Sequence, residues 1–240
     1  KQCLANAYMG TGRWEEGKKA LEEAHMLLPK LDNVIVHNSV LCQLVSLSKA
    51  KDDFENLKKY LDEQKSILED YIRKNPTMEE AFQDPLIFNE LYYAYYYLEM
   101  NQPHPAFEHL QKGAKYLTPH TYFMYRVLYY DAYALYYRRC KGYDKALSQL
   151  DSTIVLLQEA FSSDYVNQLS AKADILVEAG RSQEALPIYE KVLQMKDSLV
   201  TELSDKQMKL IQSNYHINKI ALEEEQLKNK IHLIVLIVIA

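Results

Sequence analysis

Histidine is the residue type through which this chain could most directly bind a metal or carry a phosphoryl group. The seven histidines form no HExxH motif, and His104 and His109 stand five residues apart across a proline turn, where two ligands would not share a helix face. His216 lies in a long predicted helix but lacks the acidic neighbour that phospho-accepting histidines carry. We therefore expect the histidines to be surface residues and expect no metal site.

The cysteines and glycines also give no sign of catalysis. Cys3, Cys42 and Cys140 are far apart and include no CxxC pair, so neither a zinc site nor a disulfide framework is indicated. The six glycines form no phosphate-cradling loop, and neither a Gly-x-Ser-x-Gly elbow nor a marked pair of carboxylates is present. The sequence therefore predicts that this segment is not an enzyme and has no cofactor.

Composition and charge indicate a folded body that does not bind nucleic acid. The chain has 240 residues, of which 48% are hydrophobic and 25% charged, and its formal net charge is −5. Lys and Arg are spread along the chain without the basic stripe that a phosphate backbone requires. We therefore expect no nucleic-acid partner for this segment.

The elements that would position any site are predicted to be helices in a repeated order. Apolar residues recur at intervals of three and four, and the few glycines and prolines fall mostly between these periodic segments. Three stretches share one order of small and large residues, with the glycine of the second stretch displaced by one position: Ala5, Tyr8, Gly12, Gly17 and Leu21; Ala134, Tyr137, Gly142, Ala146 and Leu150; and Ala173, Leu176, Gly180, Ala185 and Tyr189. A weaker copy runs through Ala94, Tyr97, Asn101, Ala106 and Leu110.

This spacing resembles the tetratricopeptide repeat (TPR), in which small residues on helices A and B meet where the two helices cross most closely. The small residues of helix B are 40 and 39 residues apart at the last two intervals and 89 at the first, which leaves room for one divergent pair over residues 34–75. The resemblance implies an all-α, right-handed α-α superhelix, a TPR-like solenoid of about five helix pairs over residues 1–196.

Tyrosine is the unusual residue of this composition. Many of the 20 tyrosines fall in "ELYYAYYYLEM" and "YRVLYYDAYALYYRR", which are helix A segments of the middle repeats. Core packing explains any single tyrosine more readily, whereas the cluster as a whole favours an aromatic groove, because helix A lines the concave surface in this family.

The family's groove-facing positions can be transferred to this chain residue by residue. They do not form the two-lysine, two-asparagine carboxylate clamp of related chaperone-binding modules, so an extended peptide or another protein surface is the expected partner. The positions are Asn6, Met9, Leu91, Tyr95, Glu99, Asp131, Leu135, Arg138, Ser170, Asp174 and Glu178.

The C-terminal part of the chain departs from the repeat. Residues 197–230 contain no helix breaker and carry a loose seven-residue apolar stripe, which predicts one long helix that caps the last repeat, pairs with its copy in a homodimer, or both. Residues 231–240, "IHLIVLIVIA", are apolar except for His232. They can pack on the repeats, cap a coiled coil or begin a transmembrane helix, and the lack of a polar stripe favours the last.

The repeats, the long helix and the apolar run together resemble bacterial membrane-anchored regulators. In these proteins an extracytoplasmic TPR domain connects through one transmembrane helix to a sensor histidine kinase or a DNA-binding output domain. The resemblance implies a periplasmic sensory or scaffolding module that binds a protein or peptide and is attached to the membrane. The alternative is a soluble cytoplasmic TPR adaptor whose apolar tail folds back onto the last repeat.

Overall fold

The computed structural model describes residues 1–10, 13–28, 33–158 and 163–201, together with residue 228. In these ranges the regular structure is helical and contains no strand, which confirms the all-α prediction. Two short 3₁₀ turns, Pro76–Met78 and Glu80–Phe82, lie between the fourth and fifth helices. The helices are α1 Gln2–Gly10, α2 Trp14–Leu27, α3 Val34–Ala50, α4 Phe54–Lys74, α5 Gln83–Glu99, α6 Pro103–Lys115, α7 Phe123–Arg139, α8 Tyr143–Leu157, α9 Ser163–Glu178 and α10, residues 182–201.

The helices are arranged as consecutive pairs, α1/α2 through α9/α10, and each pair packs on the next. Within four of the pairs the predicted small residues are buried on both helices. Gly17 shows why they must be small: a Cβ placed there would stand 2.7 Å from Cγ of Met9 and 3.3 Å from the carbonyl oxygen of Ala5. The corresponding alanines of the last three pairs are 0–3% exposed: Ala94 and Ala106, Ala134 and Ala146, and Ala173 and Ala185.

One hydrogen bond marks the turn inside every pair. A backbone N–H just after helix A donates to the carbonyl five residues earlier, which is the Schellman arrangement that ends a helix. Its donors are Arg13, Asp53, Gln102, Gly142 and Arg181, which are spaced by 40, 49, 40 and 39 residues. The helices α3 and α4 occupy the stretch for which the divergent pair was predicted, and the repeat that they begin is longer than the others by the segment that holds the two 3₁₀ turns.

The divergent pair is held by a row of buried amides. Gln64 on α4 donates to Oδ1 of Asn38 on α3 at 2.9 Å, and Asn89 on α5 donates to Oε1 of Gln64 at 2.9 Å. Gln64 is 0% and Asn89 2% exposed. Because buried polar groups are stable only when they are paired, these bonds fix the position of α5 against the pair before it.

The C-terminal predictions lie mostly outside the described residues. The long helix expected over residues 197–230 is described only as far as Thr201, where it continues α10, and at Lys228, and residues 231–240 are not described. Among the helices that the structure does describe, none is long and apolar enough to cross a bilayer.

Candidate functional site

The first helices of the pairs, α1, α3, α5, α7 and α9, form one side of the solenoid, here called the helix-A face. On this face a cavity of about 440 Å³, here called the aromatic pocket, opens between α5, α7 and α9. Its apolar lining consists of Phe88, Tyr92, Tyr122, Met124, Tyr125, Val127 and Leu128, and its polar lining of Asp131, Asp164, Asn167 and Gln168. Such a mixture of apolar walls and a few polar groups is typical of a binding site.

The α5 wall of the pocket is formed by two stacked aromatic rings, one of which is hydrogen-bonded to α3. Phe88 and Tyr92 stand one turn apart, and their rings stack with centroids 4.3 Å apart. The hydroxyl groups of Tyr92 and of Ser46 on α3 form a hydrogen bond of 3.2 Å, so the buried phenol keeps a polar partner. Burial raises the pKa of Tyr92, and it raises the pKa of Tyr125 to about 12, so both phenols are neutral at physiological pH.

The mouth of the pocket exposes apolar surface. Tyr122, just before α7, is 56% exposed, and Met124 in its first turn is 37% exposed. Val127, one turn further along, is only 6% exposed. A partner can therefore cover exposed apolar area at the mouth without disturbing the packing below it.

Asp131 is one of two acidic residues that line the pocket, and it connects three helices. Its Oδ1 accepts from the hydroxyl of Thr153 on α8 and its Oδ2 from the side-chain amide of Gln168 on α9, both at 2.9 Å. Burial raises the pKa of Asp131 to about 6, although both hydrogen bonds and the charge of Lys49 act in the opposite direction. The carboxylate is therefore largely ionised at neutral pH in surroundings that solvate it poorly.

Lys49 on α3 carries a positive charge on the helix-A face, opposite in sign to the charge of Asp131. Its ammonium group lies 4.4 Å from the ring centroid of Tyr95 and 5.4 Å from that of Tyr92, within the range of cation–π contacts. Burial lowers the pKa of Lys49, and the charges of Asp131 and Glu99 counteract this effect. A positive and a negative group thus stand on either side of the aromatic wall of α5.

Three of the predicted groove residues are paired with neighbouring repeats. Glu99 at the end of α5 binds Arg139 of α7 at 3.0 Å, and Arg138 of α7 binds Glu178 of α9 at 2.5 Å. The hydrogen bonds between Arg138 and Glu178 raise the pKa of the guanidinium and lower that of the carboxyl. These charges connect successive repeats, so they are already engaged before any ligand arrives.

The sequence predicted that Leu91 lies on the groove surface, and this prediction is wrong. Leu91 is 1% exposed, and its Cδ2 lies 3.2 Å from where a Cβ on Gly113 of α6 would stand. Met9 likewise packs towards α2, against Gly17. Both side chains fill the space that a small residue on helix B leaves open, so they hold the pairs together.

The remaining predicted positions are spread along the helix-A face. Tyr95 contacts Lys49, and Asp174 accepts a hydrogen bond of 2.6 Å from the hydroxyl of Tyr189 on α10. Asn6 is exposed on α1, while Leu135 and Ser170 are half-buried on α7 and α9. Of the eleven predicted residues, Asp131 alone lines the aromatic pocket.

Most of the pocket lining differs from the predicted groove residues, because those residues lie in the middle and the C-terminal halves of the A helices. The pocket lies nearer their N-terminal halves and is lined there by Phe88, Tyr122, Met124 and Asp164. The tyrosine cluster pointed to the correct helices. A second available signal was the i, i+4 spacing of Phe88 and Tyr92, which places the two rings on one helix face.

The expectation that the histidines are surface residues is wrong for three of them. The side chains of His25, His37 and His109 are 19%, 13% and 12% exposed. His109 on α6 binds the buried Glu90 of α5 at 2.6 Å. His104, by contrast, has a side chain that is 87% exposed, as expected.

The fold is similar to that of known TPR-like proteins, although no family model and no curated protein matches the sequence. BtubC (BKLC) from P. vanneervenii is 12% identical, with a TM-score of 0.57 over 82% of this chain and 78% of that one. The apo form of RapI is 12% identical, with a TM-score of 0.61 over 83% and 70%. The third structure contains the nearly identical TPR-like repeats of a putative kinesin light chain from Podosopora anserina. It shares 16% sequence identity with this chain, with a TM-score of 0.51 over 83% of this chain and 94% of that one.

These structural neighbours show that the chain has the fold of a TPR-like helical-repeat solenoid. The identities are low, so the similarity establishes the fold and leaves the function to be argued from the site.

Proposed function

We propose that this chain is a non-catalytic module that binds an extended segment of another protein along the helix-A face. The observation that supports the proposal is the aromatic pocket, whose apolar mouth is exposed at Tyr122 and Met124. An aliphatic or aromatic side chain of the partner would enter this pocket. Large side chains in desolvated pockets supply most of the binding energy in such interfaces.

The polar lining indicates which neighbours that side chain should have. Asp131 and Asp164 give this end of the pocket a negative charge, so a Lys or Arg beside the apolar residue is favoured. Asn167 and Gln168 on α9 offer amide groups that can pair with an extended peptide backbone. The expected ligand is therefore a peptide segment that carries an apolar residue next to a basic one.

The test begins with selection of peptides from a random library displayed on phage, using the purified protein as bait. Affinities of the enriched peptides are then measured for the native protein and for Met124→Glu, which places a charge at the apolar mouth. Val155→Glu is the matched control, because Val155 is a 67% exposed apolar residue on α8, a second helix of its pair.

We expect the enriched peptides to share an apolar–basic pair and to bind Met124→Glu about tenfold or more weakly, which corresponds to about 1.4 kcal/mol or more. The control should bind like the native protein, and both variants should keep the native circular dichroism spectrum. Equal binding by the native protein and Met124→Glu would reject the aromatic pocket as the binding site.

We further propose that the module is the extracytoplasmic, sensory part of a membrane-anchored bacterial regulator, joined to the membrane through residues 231–240. The support is the sequence of that apolar run and of the long helix predicted before it. Fractionation of cells that express the whole gene, with a protease-protection assay on intact cells, tests this placement. Recovery in the soluble cytoplasmic fraction would favour a soluble adaptor instead.

The long C-terminal helix is also proposed to pair with its copy in a homodimer. Its apolar stripe, which runs through Leu203, Leu210 and Ile217, supports this part of the proposal. Sedimentation equilibrium on the full chain and on Leu210→Glu should give a dimer and a monomer, respectively. A monomeric native chain at high concentration would contradict it.

A further inference from the structure

Two histidines and one glutamate from three different helices converge on a single point away from the aromatic pocket. His25 lies in the last turn of α2, His37 at the start of α3, and Glu63 in the middle of α4. The Nε2 atoms of His25 and His37 lie 2.8 Å and 3.2 Å from the same oxygen, Oε1 of Glu63. One ligand atom from each of the three residues lies within 4.8 Å of the other two.

The three side chains are held in place and partly shielded from water. Their exposed fractions are 19% for His25, 13% for His37 and 30% for Glu63. The ring of Tyr60 meets the ring of His25 edge-on, with centroids 5.8 Å apart, which restricts how the imidazole can turn. The positions of the ligand atoms are therefore set by helix packing and by neighbouring side chains.

The charge around Glu63 also favours a bound cation. Among the described residues, no Lys or Arg lies within ion-pair distance of this carboxylate, and its hydrogen-bond partners are the two imidazoles. The other histidine–carboxylate contacts in the described ranges, His109 with Glu90 and His104 with Glu108, each contain a single histidine.

We propose that His25, His37 and Glu63 bind a divalent late transition-metal ion, and that Zn²⁺ is the ion that fits them best. Two imidazole nitrogens and one carboxylate oxygen are a recognised zinc ligand set that leaves one position open. In a tetrahedral site with bonds of about 2.0–2.1 Å the ligand atoms stand roughly 3.3 Å apart. The observed contacts of 2.8 Å and 3.2 Å need to open only slightly to admit the ion.

The surroundings of the three residues indicate the role of the ion. His37 also lines a cavity of about 380 Å³ together with Asn33, Asp70 and Tyr71, which offers space next to the site for a water molecule as the fourth ligand. The three ligands belong to the first and second helix pairs. The ion therefore fastens the end of the first pair to the second, a structural role that does not depend on the ligand of the helix-A face.

The test uses the full chain without an affinity tag, freed of metal with a chelator and then titrated with ZnCl₂ by isothermal calorimetry. We expect one equivalent of Zn²⁺ to bind and the melting temperature to rise, because a ligand that binds only the folded state stabilises it. MgCl₂ should have no such effect, since Mg²⁺ prefers an all-oxygen octahedral shell.

Single substitutions of the three proposed ligands test whether each of them binds the ion. Each of His25→Ala, His37→Ala and Glu63→Gln should weaken Zn²⁺ binding by more than about tenfold, since removing even a supporting group of a metal site has effects of that size. His104→Ala is the matched control, because His104 also faces a glutamate at 3.6 Å but has no third ligand. It should bind Zn²⁺ like the native chain.

Cobalt provides a measurement on the native chain that does not depend on the folding of any variant. Co²⁺ at this site should give the visible absorption of a tetrahedral complex without a thiolate charge-transfer band, which separates it from binding at the exposed Cys3 or Cys140. The proposal fails if the native chain binds no Zn²⁺, if its Co²⁺ spectrum shows thiolate ligation, or if the three variants bind as tightly as His104→Ala.

Discussion

The substitution Asp131→Asn should change how the stability of the protein depends on pH. Burial raises the pKa of Asp131 from an ordinary value of 3.8 to about 6, so the folded state holds this proton more tightly than the unfolded chain does. A carboxyl group of this kind lowers the free energy of unfolding as the pH rises from about 4 to about 6. The asparagine variant cannot ionise and loses this contribution.

The size of the effect follows from the pKa difference. Each pKa unit corresponds to about 1.4 kcal/mol, so ionising Asp131 destabilises the folded state by about 3 kcal/mol once the pH is well above 6. Because the unfolded chain already begins to ionise near pH 4, about 2 kcal/mol of this change falls between about pH 4 and about pH 7. The native protein should therefore gain about 2 kcal/mol of stability relative to Asp131→Asn on acidification across that range.

The assay is urea unfolding followed by circular dichroism at several pH values for the native protein, Asp131→Asn and Asp144→Asn. The last variant is the control, because the side chain of Asp144 is 94% exposed. The difference in the free energy of unfolding between two of these proteins at the same pH removes the contributions of the acidic groups that they share. One such group is Glu178, whose lowered pKa gives the opposite dependence of stability on pH. Parallel stability curves for the native protein and Asp131→Asn would refute the burial argument.

Three further predictions concern the repeat framework. Leu91→Ala should lower the free energy of unfolding by about 3 kcal/mol, because it empties a fully buried position; a change below about 1 kcal/mol in urea unfolding would mean that Leu91 is a surface residue. Lys141 has a φ of 57°, a left-handed conformation that costs a residue with a side chain about 1 kcal/mol, so Lys141→Gly should raise the melting temperature. Asn101→Gly should raise the melting temperature less, because Asn tolerates this conformation better than Lys does. The reverse order of the two variants would contradict the turn geometry. A double-mutant cycle on Arg138 and Glu178 should give a coupling below about 1 kcal/mol that shrinks in salt, since both side chains are at least a third exposed; a larger, salt-independent value would show a buried pair.

The sequence predicted the helix pairs because their determinants are local. Small residues such as Ala134 and Ala146 recur where two helices must approach closely, and the turn residues recur with them, so the spacing alone predicted the repeat. The first interval of 89 residues also indicated that there was room for a divergent pair. Its buried amides Gln64 and Asn89 gave no such signal, because a pair of polar residues 25 positions apart has no recognisable local pattern.

The sites depended on tertiary structure. Glu99 and Glu178 fit an exposed groove in the sequence, yet each pairs with an arginine 40 positions away on the neighbouring repeat, and that pairing is set by how repeats stack. His25, His37 and Glu63 match no ligand motif, because they lie on three separate helices and only the packing of those helices brings them together. Local spacing therefore determined which helices form and pair, and only the packing of one pair on the next decided which side chains meet.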